Sequence, residues 1–145
     1  MTYVTCNGTA AYNRAKYKPH DKTLVRVGRN THNSAANNVA DSSIVNMISI
    51  PANSILLCVA TEILVDSAVA NDEFDVGLAG GVEFGSELES NAAAGTIAVP
   101  ECLDNPTFVK AANTITMTSN GETMDAGTVQ VTACWIELDS LGSAG

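Results

Sequence analysis

The chain has 145 residues, of which 46% are hydrophobic and only 5% aromatic. This length predicts one domain whose core is large enough to fold without disulfide or metal staples. No window has the uninterrupted apolar length of a membrane-spanning helix, and the first residues lack the apolar stretch of a secretory signal. We therefore expect no membrane association, and synthesis and folding in a cytosol.

The net charge of −9 is divided unevenly along the chain. Residues 1–41 hold six basic and two acidic side chains, a charge of +4, whereas residues 42–145 hold one basic and 14 acidic side chains, a charge of −13. The sequence thus predicts a basic N-terminal arm over residues 1–42 and an acidic body over residues 43–145. Because the body would repel phosphate, we expect no nucleic acid as a partner.

Opposite charge on arm and body favours docking of the arm on an acidic protein surface, either a neighbouring copy or another assembly. A solvated terminus without a partner is the alternative. The side chains expected to make these contacts are basic residues with interleaved tyrosines: Tyr12, Arg14, Lys16, Tyr17, Lys18, Lys22, Arg26 and Arg29.

Seven or eight short strands with turn signals between them are predicted from residue 43 onward, which indicates an all-β antiparallel sandwich of the jelly-roll type. Only residues 85–93 hint at a helical period. Residues 120–127, with Asn-Gly and Ala-Gly pairs, predict a hairpin connection into the strand "TVQVTACWIEL". The expected strands cover residues 43–50, 54–65, 74–81, 96–99, 107–112, 113–119 and 128–138, and residues 23–27 of the arm could form one further short strand.

Two of these strands, residues 54–65 and 128–138, have apolar side chains on both faces. In the second, Val129, Val131 and Ala133 are expected in the core, and the alternation then slips near Trp135, which suggests a β-bulge. An apolar second face predicts contact with another copy of the chain. The residues expected at that interface are Leu56, Leu64, Ile136 and Leu138.

The four cysteines form no CxxC pair and are expected to be reduced and structural. Both histidines, His20 and His32, lie in the polar arm and match no nucleophile or metalloprotease motif, so no enzyme, cofactor or small-molecule substrate is expected. An acidic loop is expected to be solvated, with a calcium site as the alternative. That loop contains Asp66, Asp72, Glu73 and Asp75.

Four segments of the body carry a resemblance to small virion proteins of tailed bacteriophages. An "IPAN" turn leads into a long strand, a "DVG" turn follows the next one, and a Thr-rich strand precedes an "AGTVQV" final strand. The segments are Ile50–Asn53, Asp75–Gly77, Ile115–Thr118 and Ala126–Val131.

This resemblance implies a jelly-roll-like sandwich that forms a homotrimer, binds the major capsid protein on the outside of an assembled capsid and stabilises the lattice as a decoration (cement) protein. It implies location on the virion surface and no catalytic residues. A trimeric tail or head-fibre adhesion module that binds host glycan is the first alternative. A small calcium-dependent or hydrolytic β-domain is the second.

Overall fold

The protein folds as an all-β structure. A computed structural model describes residues 25–68, 72–98 and 106–138. Within these ranges the chain forms nine strands and no helix, and thus no helix able to cross a bilayer. The strands are β1 (Val25–Asn33), β2 (Ile44–Ile50), β3 (Ser54–Val65), β4 (Glu73–Leu78), β5 (Gly85–Glu89), β6 (Ile97–Ala98), β7 (Thr107–Val109), β8 (Asn113–Asn120) and β9 (Thr128–Glu137).

These strands form two antiparallel sheets that pack face to face. The larger sheet has the order β1-β9-β3-β6, with β7 also paired to β3, and the smaller has the order β2-β8-β4-β5. The chain crosses between the sheets after β1, β2, β3, β5, β7 and β8. This arrangement confirms the predicted fold class, a jelly-roll-like antiparallel sandwich.

The inner faces of both sheets supply one core. On β9 the side chains of Val129, Val131 and Ala133 are fully buried, as their alternation predicts, and Trp135 is 8% exposed. The smaller sheet contributes the fully buried Phe74, Val76, Ile115 and Met117. Alternate residues of each strand therefore meet between the sheets, and the other half face outward.

A β-bulge lies on β3 at Leu57. Leu56 pairs with Trp135 and Cys58 pairs with Cys134. Because Trp135 and Cys134 are consecutive on β9, Leu57 is an extra residue without a partner on that strand. The sequence predicts a bulge on β9 near Trp135. The structure instead has it on the adjacent strand β3, and β9 pairs with β1 without a break. A bulge of one residue reverses the inward and outward phases of the strand that carries it.

The described part of the predicted arm, residues 25–42, belongs to the sandwich. β1 pairs with β9 along its whole length, from Val25 opposite Ile136 to Asn33 opposite Thr128. Val39 is buried and makes a bridge with Met124. Continuous pairing with β9 holds this polar segment in the sheet, and its two valines, Val25 and Val27, face outward. Residues 1–24 lie outside the described residues, so an arm over them stays a prediction.

Close approach at Gly28 brings β1 against the core. A Cβ atom there would lie 2.9 Å from Cγ2 of Ile48 and 3.0 Å from Cζ3 of Trp135, so only glycine leaves room for the indole ring. Beside it, Nδ2 of Asn30 donates a hydrogen bond of 2.8 Å to the carbonyl oxygen of Met47. This side-chain bond joins the edges of the two sheets.

Residues 121–127 connect the two sheets, so the predicted hairpin between β8 and β9 is wrong. β8 pairs with β2 and β4, whereas β9 lies in the other sheet. Met124, in the middle of the connection, is fully buried between the sheets. Gly127 ends it with φ of 85°, and a Cβ there would lie 3.2 Å from the carbonyl oxygen of Val65. The glycine pairs correctly predicted that the chain turns here. The buried side chain of Met124, however, belongs to a connection that crosses between the sheets.

The glycine-rich segment after β4 is a tight turn. The N–H of Gly81 donates to the carbonyl oxygen of Leu78 at 2.9 Å, and Ala79 and Gly80 have φ of 52° and 87°. Positive φ at both central residues is typical of a type I′ turn. The chain then enters β5, a strand within the segment whose sequence hinted at a helix, because Gly85–Glu89 pairs with β4.

Candidate interaction surface

The outer face of the larger sheet carries a row of apolar side chains at one end. Strand register places Val25 of β1 opposite Ile136 of β9, Ile136 opposite Ile55 of β3, and Ile55 opposite Phe108 of β7. Directly paired residues of antiparallel strands point to the same side of the sheet. These four side chains therefore form one continuous row across four strands.

A second apolar row lies beside the first. Val27 pairs with Cys134, and Cys134 pairs with Cys58 on its other side. Val25, Val27 and Phe108 are 55%, 63% and 56% exposed, which is unusual for large apolar side chains. We name the outer patch by six residues of these two rows: Val25, Val27, Ile55, Phe108, Cys134 and Ile136.

Polar side chains lie beside the second apolar row on the same face, and two exposed apolar side chains, Ile97 and Val65, lie beyond them. Nε of Arg29 donates a hydrogen bond of 3.2 Å to Oγ1 of Thr132, its partner across β1 and β9. One row further, Nε2 of Gln130 donates to Oε2 of Glu62 at 3.1 Å. The outer face thus carries a cation on β1 and a carboxylate on β3, with β9 between them. An apolar area with a polar border is the usual composition of a protein–protein contact.

Cys134 of the outer patch and Cys58 beside it on β3 are free, half-buried thiols. Burial raises the pKa of Cys134, and the adjacent Cys58 thiol raises it further. Protonated thiols behave as small apolar groups, so the pair extends the apolar surface. Cys6 and Cys102 lie outside the described residues.

Of the four predicted interface residues, Leu56 is in the wrong place. It is fully buried in the core, because the bulge at Leu57 reverses the phase of β3 and turns Leu56 inward. Leu64 is 37% exposed, and Ile136 and Leu138 are half-buried. These three are accessible to a partner, and their role at an interface stays a prediction.

Of the eight predicted arm residues, only Arg26 and Arg29 lie within the described residues, and both are on β1. Nε of Arg26 lies 3.5 Å from Oε1 of Glu137. The other carboxylate oxygen of Glu137 accepts a hydrogen bond of 3.3 Å from Nε1 of Trp135. Arg26 therefore belongs to the edge of the sandwich itself. The remaining six, Tyr12, Arg14, Lys16, Tyr17, Lys18 and Lys22, lie outside the described ranges.

The acidic loop does not form a metal centre among the residues that the structure describes: no group of three or more His, Cys, Asp or Glu side chains converges there. Asp72 is buried, Asp66 is exposed, and Oδ1 of Asp75 accepts the backbone N–H of Glu87 at 2.8 Å. Asp72 is instead part of a hydroxyl network, in which Oγ of Ser90 donates to the Asp72 carbonyl oxygen at 2.8 Å.

Burial raises the pKa of the Asp72 carboxyl, and repulsion by Asp125 and Glu122 raises it further, against an opposing hydrogen bond from Ser67. Its Oδ2 has no hydrogen-bond partner within the described residues. We expect Asp72→Asn to stabilise the protein at pH 7.5 by about 1 kcal/mol, the order of one unmatched buried acceptor. The amide removes the buried charge and with it the repulsion by Asp125 and Glu122.

The pH dependence has a defined sign. A raised pKa in the folded state destabilises it above that pKa, and the penalty disappears as the pH falls to the unfolded value of about 3.9. The gap between Asp72→Asn and the wild type should therefore close on acidification in urea melts at several pH values. The exposed Asp66→Asn is the matched control and should show little difference. A destabilised Asp72→Asn at pH 7.5 would contradict this account.

One cavity between the sheets is lined by Thr61, Ile63, Phe74, Leu88, Glu89, Ala92 and Thr96 and has a volume of about 70 Å³. Sites for small molecules are usually several times larger, roughly 300–1,000 Å³. The ring of His32 is engaged in its own loop, since Nε2 lies 2.9 Å from the carbonyl oxygen of Asn37. Neither feature has the geometry of a substrate site.

Comparison with family models and with curated proteins finds no match. The architecture, however, is found in phage capsids. A chain of the "Capsid of Ralstonia phage GP4" aligns with TM-score 0.61 and 14% identity, over 79% of this chain and 85% of that chain. A chain of the "Acidic stable capsid structure of Helicobacter pylori bacteriophage KHP30" aligns with TM-score 0.59 and 8% identity, over 79% and 88%.

A chain of the "Cyanophage Pam1 capsid asymmetric unit" aligns with TM-score 0.56 and 15% identity, over 77% of this chain and 84% of that chain. The likeness thus extends over more than three quarters of each chain. At such low identities it establishes the fold that these capsid chains share with this protein, and no individual residue role is transferred.

Of the six members of the outer patch, sequence reasoning assigned only Ile136 to an interface. It missed the other five: Val25, Val27, Ile55, Phe108 and Cys134. The two valines lie in a segment that its charge assigned to the arm, although their alternation in "VRV" was a strand signal. Phe108 lies in a strand of only three residues. These side chains become neighbours of Ile136 only through the register of four strands.

Proposed function

We propose that this chain is a non-enzymatic structural protein of a phage virion, which binds the outside of an assembled capsid as a decoration protein. The observation that carries the proposal is the sandwich fold that this chain shares with chains of phage capsids. The described residues offer a surface for protein contact and, in the same ranges, no converging metal ligands. The major capsid protein is the proposed partner, and the outer capsid surface the proposed location, after synthesis in the host cytoplasm.

Stabilisation of the lattice would follow from mass action. A protein that binds the assembled shell but not its dissociated subunits shifts the equilibrium towards the shell. Several linked copies increase residence time, because each further contact forms at a high effective concentration. A homotrimer is the copy number that the resemblance implies, and it stays a prediction that sedimentation velocity checks.

The basic segment before β1 is the proposed contact with the capsid. Residues 1–24 contain four of the seven basic side chains of the whole protein and one acidic side chain. A basic segment binds the capsid through its charge only if the capsid presents acidic groups. We therefore propose an acidic docking surface there. The proposed contact residues are Tyr12, Arg14, Lys16, Tyr17, Lys18 and Lys22.

We expect the combined change of Arg14, Lys16, Lys18 and Lys22 to glutamine to weaken capsid binding at least tenfold near 0.15 M salt, because four charge contacts are lost. Binding is measured by co-sedimentation with capsids of the parent phage that lack this protein. The full-length variant keeps β1 intact, which deletion of residues 1–41 would not.

Lys110→Gln serves as the matched control, because it removes an exposed charge from the body and should leave binding unchanged. Wild-type binding should weaken with salt, and the arm variant should lose most of that salt dependence. Equal affinity of the arm variant and the wild type would refute the arm contact. If the wild type did not co-sediment at all, the decoration role itself would be wrong.

The alternative of a glycan-binding adhesion module requires an exposed aromatic platform. Among the described residues Phe74, Phe84 and Trp135 are buried, and Phe108 is the single exposed aromatic ring. One ring in an apolar row fits a protein contact better than a sugar site. Consistent hits for the isolated protein on a glycan array would reverse this preference.

A further inference from the structure

The area of the outer patch sets a first condition on its occupant. Strands lie about 4.8 Å apart and alternate residues about 6.8 Å apart, so the four positions of the first row and the three of the second cover roughly 230 Å². A stable contact usually covers about 800 Å² on each partner. A partner must therefore also cover the polar rows and the loops around them, and its charges must match those rows.

The polar rows have opposite charges on the two sides of β9. Arg29 is exposed on β1, and Glu62 is half-buried on β3. Among the described residues, Arg29 donates a hydrogen bond to Thr132, and Glu62 accepts one from Gln130. A guanidinium has further N–H donors and a carboxylate further lone pairs, so both groups are able to bind a second partner.

We infer that the outer face binds a second copy of this chain across a two-fold axis that runs along β9. Rotation about such an axis leaves the position of each residue along the strand direction unchanged and exchanges the strands on the two sides of β9. β1 of one copy therefore lies over β3 of the other. Val25 then lies over Ile55 of the second copy, and Val27 lies over its Cys58. Arg29 lies over the level of Ala60, within reach of the second copy's Glu62.

This arrangement is isologous, so each apolar and each charged contact occurs twice. Pairing also removes the thiols of Cys58 and Cys134 from solvent. The contact needs no capsid and goes beyond the proposed decoration role. If a separate three-fold contact through Leu64 also exists, the two together give hexamers, and otherwise the pair is a dimer. In both cases the number of copies is even.

Charge exchange tests the pairing in isolated full-length protein. Arg29→Glu and Glu62→Arg should each raise the dissociation constant at least tenfold in sedimentation velocity, because each places like charges together. The double variant, with both changes, should return to within about threefold of the wild type. Glu89→Lys, a charge reversal on β5 of the other sheet, is the control and should leave association unchanged.

A geometric test uses the axis itself. In a background with Cys6, Cys58, Cys102 and Cys134 changed to serine, Thr132→Cys places a thiol on β9, where it should form a disulfide with its own counterpart under mild oxidation. Ser49→Cys, exposed on the other sheet, should not. Covalent dimers for the first variant only are expected.

Three results would overturn the inference. They are a wild type that is monomeric at about 100 µM or forms only odd-numbered assemblies, single variants that associate as well as the wild type, and a double variant as weak as the single ones. Failure of capsid binding by an evenly associated protein would affect the decoration role alone.

Discussion

Leu56→Ala is expected to lower the free energy of unfolding by about 2–5 kcal/mol, the range for a leucine removed from a packed core. Leu56 is fully buried opposite Trp135, between the two sheets. Truncation leaves a cavity beside a large ring that cannot easily move, because Trp135 also packs against β1 at Gly28. Urea unfolding followed by tryptophan fluorescence measures the loss at a reporter next to the site.

Its neighbour Leu57 is the matched control. The bulge places Leu57 outside the alternation, and its side chain is half-exposed. Leu57→Ala should therefore cost less than about 1 kcal/mol, near the range for surface changes. Equal losses for the two variants, or a larger loss for Leu57→Ala, would contradict the position of the bulge.

Gly77→Ala is expected to destabilise the protein by about 3 kcal/mol or more, at the upper end of overpacking effects. A Cβ at this buried position on β4 would overlap the carbonyl carbon and oxygen of Gly81 and lie 2.6 Å from Oε1 of Glu83. That same oxygen accepts the N–H of Leu78 at 2.8 Å. The methyl group would therefore displace backbone and break the hydrogen bond that holds the turn.

Gly85→Ala tests whether backbone or side chain is the obstacle. The added Cβ would lie 2.6 Å from Cδ1 of Leu88, the mobile end of a half-buried side chain. Since that end can rotate away, a loss of about 1 kcal/mol is expected. Thermal melting of both variants provides the comparison. A Gly77→Ala variant as stable as the wild type would contradict this expectation, because it would show that the turn accommodates the methyl group at little cost in stability.

The local alternation of apolar side chains was sufficient to predict the fold class and most strands. Val129, Val131 and Ala133 lie in the core as predicted, because alternation needs only neighbouring residues. The assignment of strands to sheets was not predictable in this way. Residues 120–127 have hairpin signals, but buried Met124 makes them a crossover, and that depends on Val39, more than eighty residues earlier.

The candidate surface was predicted only in part, for a related reason. Ile136 was found from the second apolar phase of its own strand. Leu56 was assigned wrongly, because the bulge that turns it inward is apparent only from its pairing with Trp135. Val25 and Val27 were attributed to the arm, because the basic charge around them outweighed a weak strand signal. Val25 and Val27 join the outer patch only because β1 pairs with β9, and that pairing cannot be read from the sequence around them.

The pairing of β1 with β9 has a consequence for synthesis on the ribosome. Arg29 and Thr132, which share a hydrogen bond in this pair, are 103 positions apart, so β1 emerges long before its partner exists. The larger sheet cannot close until β9 is available, and such distant contacts favour slow, late folding. During that interval the apolar side chains on both faces of β3 are exposed to solvent. The acidic side chains of the body already repel one another between nascent chains at this stage. This repulsion delays aggregation until the sandwich is complete.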